Sequence, residues 1–343
     1  MSTAPTIVPA ADRPDRAQFL ADRKLGVGGT DVAAILGLSP YRTPMSVWLE
    51  KTGRQEPTFD PAAEERMFWG SAMEDLVARR YAHLKGARIQ RVNTPLVHAG
   101  GILRGNIDRA VVPEGRQARW IEAERRLRGA DRILEVKTAG AFAERSADWG
   151  EPGTDQVPIH YWTQVQTYQG LAQVQEADLA VLFGGQRLAI YTITADAGIF
   201  AGIVEQCEEW WARHVIADVP PQPQSEEEAR ALWRTHKAGE TRIVGADVAG
   251  ACADLARVKA QISELERQEQ ALRDTITCAF GDAEVIAHMG HKLATWRANK
   301  AVRKTDWQAV AAELGPGPDL IESFTTETPG ARVLRLAITK ESV

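Results

Sequence analysis

Cysteine is scarce in this chain: 343 residues contain three, Cys207, Cys252 and Cys278, far apart and without C-x-x-C spacing. That argues against a disulfide framework and against a zinc site built on cysteine pairs. An iron–sulfur cluster takes four cysteine ligands, so none is expected. Long apolar runs are missing too, none approaching the ~18 residues that a membrane span needs. The N-terminus lacks the basic-then-apolar layout of a secretory signal, and a cytoplasmic location is expected. Nor is there an excess of basic charge: 41 Lys and Arg stand against 46 Asp and Glu, a net −5. Spread evenly, that charge opposes a nucleic-acid partner. Phosphate contacts sense charge within a Debye length of about 10 Å, however, so a local basic groove stays compatible with it.

What is present is a hydrophobic content of 44%, enough for a normal core, in a chain longer than one typical domain. A main domain with an appendage follows. Residues 1–16, rich in Ala, Pro and Asp without periodicity, read as a disordered lead-in. The main domain spans 17–219, and Pro220-Pro221-Gln222-Pro223-Gln224-Ser225 marks a linker.

Within the main domain the stretch Arg132-Ile133-Leu134-Glu135-Val136-Lys137 reads as a strand. Strand side chains alternate faces, which puts Leu134 and Val136 in the core and Glu135 and Lys137 side by side on the other face. Upstream, Gly105 to Val112 is a second strand candidate with an acid, Asp108, ahead of strongly strand-forming residues. If the two strands are neighbours, Asp108 and Glu135 converge on one metal ion. Further strands are expected over Ala87–Val92, Pro95–His98, Ile102–Arg104, Asp178–Phe183 and Arg187–Thr194, the last two joined by Gly184-Gly185-Gln186. The polar segment 113–131, with Arg116, Arg119, Arg125, Arg126 and Arg128, reads as an expanded hairpin connection, either solvated or touching a DNA backbone.

Three helices carry further polar residues. Arg23 to Asp31 is a glycine turn opening a helix, with Thr30 as its N-cap and Gly37 as its stop. Free N–H groups at such a start can hold phosphate, with Arg23 or Lys24 adding charge; a plain tight turn is the alternative. Thr43 caps a second helix with Pro44 first in it, ending at Lys51. A long third helix runs from Asp60 to about Leu84 with Met73, Leu76, Val77 and Tyr81 as its apolar stripe, and Gly70 one turn before Glu74. Later, Pro158 to Tyr168 places Tyr161, Gln164, Val165 and Tyr168 near one helical face, with Gln166 as a structural partner.

The stretch GVGGTDVAAILGLSPYRTPMSVWLEKTG, followed in order by Gly-x-x-x-Glu74, Asp108…Glu135-x-Lys137 and Tyr161-x-x-Gln164, resembles the YqaJ-type phage recombinase exonucleases, relatives of lambda exonuclease in the PD-(D/E)xK nuclease superfamily. The resemblance covers roughly residues 20–220 and departs from the family pattern in the insertion between Asp108 and Glu135 and beyond 225. It implies an α/β (α+β) restriction-endonuclease-like core, a central mixed sheet flanked by helices. It also implies Asp108, Glu135, the Val136 carbonyl and Glu74 around one or two Mg²⁺ ions, with Mn²⁺ as the alternative. Lys137 orients or helps deprotonate the attacking water, and Gln164 hydrogen-bonds the water or a phosphate. Arg23 or Lys24 holds a 5′-terminal phosphate, with Thr30 and Tyr161 at the DNA. The implied activity is 5′-to-3′ degradation of double-stranded DNA ends, giving 3′ single strands to a phage-type single-strand annealing protein. A trimeric ring in a phage- or prophage-bearing host and no membrane role complete the expectation. An endonuclease on the same core and an inert DNA-binding scaffold are the other readings.

The C-terminal region, 226–343, is expected to be helical. Leu255, Val258, Ile262, Leu265, Leu272 and Ile276 recur at three- and four-residue steps with Glu269 in the polar slot, which suggests a helical hairpin, a short coiled coil or an amphipathic helix packed on its own domain. Lys292, Arg297, Lys300, Arg303 and Lys304 surround Trp296, which fits single-stranded DNA or a solvated basic hairpin equally. Ala331 to Ile338 reads as a last strand.

Overall fold

The computed structural model describes residues 23–55, 60–327, 330 and 333–336. The expected lead-in lies outside them, as does half of the expected final strand, of which 333–336 are described without strand structure. The chain divides into two units after Leu232.

A mixed five-stranded sheet organises the first unit, in the order β1-β4-β7-β8-β9. Its members are β1 (Arg88–Gln90), β4 (Arg109–Val112), β7 (Arg132–Ala139), β8 (Glu176–Phe183) and β9 (Arg187–Thr194). Only β7 and β8 are parallel, and a parallel pair needs a crossover, here the helix α4 (Ile159–Ala172). Between β1 and β4 the chain forms a ribbon of β2 (Leu96–Val97) with β3 (Arg104–Gly105). The insertion 113–131 is a hairpin of β5 (Arg119–Ile121) and β6 (Arg126–Arg128), closed by a short helical turn. Its Arg125 and Arg128 pair with Glu122 and Glu124 of the same hairpin, at 2.6 and 2.5 Å.

Helices cover both sheet faces. On one side Val77, Ala78 and Tyr81 of α3 (Pro61–Lys85) pack on Leu134, Val136 and Ala180. On the other, Val165 and Leu171 of α4 pack against Ile133, Leu179 and Val181. The sheet is thus flanked by helices as expected, and this double cover buries Glu135, which is only 3% exposed. The expected stripe of α3 is corrected, because Leu76 is 59% exposed and Ala78 takes its place. Asp60 caps that helix by accepting the Ala63 N–H at 2.6 Å, and the left-handed Gly86, φ 59°, ends it.

The glycine-turn helix α1 (Gly29–Ile35) starts one residue before Thr30, so Gly28 rather than Thr30 is its N-cap. Gly28 N–H donates to Asp31 at 3.1 Å, which fixes the start without a threonine. Thr43 does cap α2 (Pro44–Lys51), accepting the Ser46 N–H at 3.1 Å.

A buried polar knot ties α3 to the sheet. Asp178 accepts from the Tyr81 hydroxyl at 2.5 Å, Arg132 at 2.8 Å and the Thr192 hydroxyl at 2.7 Å. Tyr81→Phe removes one charge-assisted bond from an aspartate with no exposed surface. The expected cost is about 1–2 kcal/mol, read as a lower urea midpoint at unchanged slope.

After β9 come α5 (Ala197–Trp210), a π-helical extension over Trp211–Ile216 and α6 (Glu226–Leu232). The helix α6 stays with the first unit: Glu228 accepts from the Thr43 hydroxyl, and Ala231 and Leu232 pack on the cluster containing Trp48 and Trp210. The unit boundary therefore falls beyond the 220–225 proline stretch.

The second unit holds α7 (Ala246–Cys278), a hairpin of β10 (Val285–His288) and β11 (His291–Thr295), and the helices α8 (Trp307–Leu314) and α9 (Pro318–Ser323). Met289 and Gly290, both at positive φ, make the hairpin turn. Trp296 follows β11 and lies 5.9 Å from the ring of Phe280. Among the described residues no helix is long and apolar enough to cross a membrane.

Candidate active site

The antiparallel register of β4 and β7 sets Arg109 opposite Leu134, which brings Asp108, the residue before β4, opposite Glu135. The two carboxylates thus meet across adjacent strands. Asp108 Oδ2 accepts the Val136 N–H at 2.8 Å. Because N–H and C=O of a residue in an antiparallel strand point to the same edge, the Val136 carbonyl is directed to the Asp108 side as well. Glu135 Oε1 receives Lys137 Nζ at 2.7 Å and Gln164 Nε2 at 2.9 Å. Gln164 Nε2 also donates to the Tyr168 hydroxyl at 3.0 Å, so α4 pins Glu135 from above the sheet. The ring of Tyr161 lies 5.6 Å from Lys137 Nζ.

The electrostatics of this group are those of a pocket short of positive charge. Burial, and then the neighbouring Glu135, push the Asp108 carboxyl up to about 8, with Lys137 and the Val136 N–H acting against them. Burial lifts Glu135 too, against the pull of Lys137. For Lys137, burial favours the neutral amine, but Glu135 and Asp108 outweigh it and hold the ammonium above its ordinary value. Glu135 Oε2 is buried with no hydrogen-bond partner, an expensive state for a carboxylate oxygen. An orphaned buried oxygen beside a second, raised carboxyl is what a hard divalent cation would relieve, and oxygen donors suit Mg²⁺. The donor set fits.

Glu74 is held apart from the pair. Its Oε1 receives Arg109 at 2.7 Å, and Arg109 also binds Asp75 at 3.1 Å, with Arg91 further out. Glu74 still raises both site carboxyls through space. Among the described residues no three of His, Cys, Asp and Glu converge as an ion-binding group. The expected third carboxylate is thus spoken for by Arg109, a residue the sequence reading passed over as part of a strand. Gly70 lies beside Thr138, where an added Cβ would make ordinary contact at 3.6 Å, so no close approach requires a glycine there.

The glycine turn does require one. A Cβ on Gly29 would lie 2.6 Å from the Tyr168 ring and 3.0 Å from Gln164, so its absence lets α1 press against Gln164, which holds Glu135, and against the tyrosine that Gln164 bonds. Thr30 is exposed on that first turn, and Lys24 is partly buried just before it. Arg23 pairs with Asp31 and with Glu50, both at 3.3 Å. Two residues missed from sequence complete this cluster: Arg42, 2.5 Å from each of the same acids, and the buried Lys51, 2.6 Å from Asp31. Burial alone would lift Asp31, but Lys51, Arg42 and Arg23 hold it below the usual carboxylate range. Three cations against two acids leave a net positive corner at the glycine turn. Tyr161 is at the other side, next to Lys137 and in contact with Tyr41. Gln166 is structural, bonding the Thr194 carbonyl at 2.8 Å and the Asp196 N–H at 2.9 Å.

Residues 18–175, which contain each of these groups, match the model of the YqaJ-like viral recombinase domain. That family is what this stretch resembles. A Bacillus subtilis (strain 168) protein, YqaJ, is 29% identical over 289 residues, covering 82% of this chain and 83% of that protein. Because that alignment is longer than the first unit, the similarity extends into the second. Among solved structures, LHK-Exo, an alkaline exonuclease from Laribacter hongkongensis crystallised with dAMP, is 15% identical and covers 59% of this chain and 93% of that chain, with a TM-score of 0.42. A phage-related exonuclease from Haemophilus somnus 129PT is 10% identical, covers 59% of this chain and 100% of that chain, and has a TM-score of 0.36.

Proposed function

We propose that this chain is a Mg²⁺-dependent exonuclease that degrades one strand of linear duplex DNA in the 5′-to-3′ direction, leaving 3′ single strands for an annealing recombinase. The family match supports a nuclease of the recombinase type. The observation that carries the reading is the buried Asp108–Glu135 pair, with its orphaned Glu135 oxygen and Lys137 bound beside it.

Asp108, Glu135 and the Val136 carbonyl would hold the ion, with Glu74 reaching it through water. A bound divalent cation supplies charge neutralisation at the scissile phosphate and a more acidic water at neutral pH. The remaining work falls to side chains. Lys137 is held protonated, so it acts as a donor: it orients the attacking water and offsets charge on the phosphate, while the raised pKa makes it a poor base. Gln164 keeps Glu135 in one rotamer, its two amide hydrogens going to Glu135 and the Tyr168 hydroxyl, and its carbonyl oxygen would accept a hydrogen bond from the same water. The net positive corner of Arg23, Arg42 and Lys51, with Lys24 and Thr30 on the same turn, would receive the 5′-terminal phosphate, and Tyr161 would face the terminal nucleotide. A ring of subunits, three in the family resembled, would keep the enzyme on its strand.

Linear duplex with 5′-phosphate or 5′-hydroxyl ends, beside a covalently closed circle, tests the proposal in Mg²⁺ and in EDTA. The expected result is Mg²⁺-dependent loss of the linear DNA alone, about tenfold faster from 5′-phosphate, with Arg23→Ala erasing that preference while slower hydrolysis persists. Cutting of the circle would replace the exonuclease with an endonuclease. Binding without hydrolysis in Mg²⁺ or Mn²⁺ would leave a scaffold.

A further inference from the structure

The helix α7 is 33 residues long, and none of its residues is buried. Most helix stability in proteins comes from packing an amphipathic face, and this helix has such a face uncovered. Its pattern is a strict seven-residue repeat. Val248, Leu255, Ile262, Glu269 and Ile276 fall at one position of the heptad, a, and Ala251, Val258, Leu265 and Leu272 at the other, d. Ile262, Leu265 and Leu272 are 49%, 63% and 64% exposed. A repeat of 3.5 rather than 3.6 residues per turn is the mark of a seam between helices that supercoil around each other.

The charges say which partner. Between 254 and 274, three acids pair with bases along the helix's own surface, Asp254 with Arg257 at 2.8 Å, Glu264 with Arg267 at 2.6 Å and Glu269 with Arg273 at 3.3 Å, and Asp274 accepts a hydrogen bond from Gln270 at 2.7 Å. Lys259 and Glu266 are the two charged residues of that stretch without a side-chain partner among the described residues. Both sit at heptad position e, on the flank of the seam.

We propose that α7 pairs with α7 of a second copy of this chain in an antiparallel two-stranded coiled coil. Centred between Ile262 and Leu265, that arrangement sets Ile262 against Leu265 of the second copy and Leu255 against its Leu272. In antiparallel pairs e faces e, so Lys259 meets Glu266 of the second copy, and the pair occurs twice by symmetry. Glu269 falls opposite Val258 of the second copy and beside its Lys259. A parallel, in-register pair does worse on the same residues: it buries Glu269 against Glu269, and it brings Glu266 to Gln261, leaving the acid without a cation. The inference is independent of the nuclease reading, since it uses no residue of the first unit.

The test is the mass of the full-length protein by light scattering over a concentration series, for wild type, Ile262→Asp with Leu265→Asp, Lys259→Glu, and Lys259→Glu with Glu266→Lys. Wild type is expected at twice the mass of the apolar double variant for a single subunit or a three-subunit ring, because an odd number of helices cannot pair off within one assembly. Lys259→Glu turns both flanking pairs into Glu–Glu contacts and weakens association roughly tenfold; adding Glu266→Lys restores it, because reversed charges still meet their opposites in the antiparallel pair. Equal masses for wild type and the apolar double variant overturn the proposal, leaving the stripe to this chain itself or to another protein. Failure of the charge reversal to restore association overturns it too, as a parallel pair predicts. Lys259→Glu leaves the stripe intact, so the answer stands even where the aspartates unravel the helix.

Discussion

Replacing Lys137 with alanine is expected to lower the rate of hydrolysis of linear duplex DNA by at least ~10³-fold, with the loss in kcat. Among the described residues the ammonium is the one cation bonded to the Asp108–Glu135 pair, 2.7 Å from Glu135 Oε1, and Glu135 and Asp108 raise its pKa above the ordinary value. On the proposed mechanism, its loss removes both the donor that positions the attacking water and the charge that balances the phosphate. Metal binding should move the other way. A competing positive charge is gone, so Mg²⁺ measured by calorimetry binds as tightly as in wild type or more tightly. That split separates loss of a reacting group from collapse of the site. Activity within tenfold of wild type would remove Lys137 from the reaction.

Asp108→Asn is expected to stabilise the metal-free protein at alkaline pH and to abolish the stabilisation that Mg²⁺ confers. Burial and the adjacent Glu135 push the Asp108 carboxyl up to about 8 in the folded state, against an ordinary value of 3.8 unfolded. A group whose folded pKa is raised contributes stability that is full below the unfolded value and is lost as pH rises through the folded one. In EDTA, wild type therefore loses up to about 1.4 kcal/mol per pH unit from this group between pH 4 and 8. Asparagine still accepts the Val136 N–H and does not titrate. Urea denaturation in EDTA should give nearly equal midpoints near pH 5 and an advantage for Asp108→Asn on the order of 3 kcal/mol at pH 8.5. With Mg²⁺ present the order reverses, because wild type gains the ligand's binding energy and the variant does not. The same slope with pH in both proteins would mean that Asp108 is not the group being titrated.

Much of this site was legible in the linear chain. A period of two in Arg132 to Lys137 is enough to put Glu135 and Lys137 on one face, and an acid before a strand-forming run is enough to nominate Asp108. The turn glycines, the Thr43–Pro44 helix start and the Gly184-Gly185 hairpin are local chemistry, settled within a few residues. What misled was treated as local and is not. Thr30 is a good cap by type, yet Asp31 bonds Gly28 and starts the helix earlier. Glu74 has the position of a metal ligand, yet Arg109, 35 residues away, holds it. Leu76 belongs to the apolar stripe by type, but the helix turns it to solvent.

The sequence by itself determined the identity and order of the candidate site residues, the alternation that places Glu135 beside Lys137, and the heptad of α7, because each depends only on backbone periodicity and side-chain type. Only the tertiary structure decided that Asp108 faces Glu135, that both are buried, that one Glu135 oxygen has no partner and that Glu74 answers to Arg109. Those facts depend on strand register and on helices closing both faces of the sheet, and they arise from residues distant in the chain sharing one low-dielectric space where unpaired charge is costly.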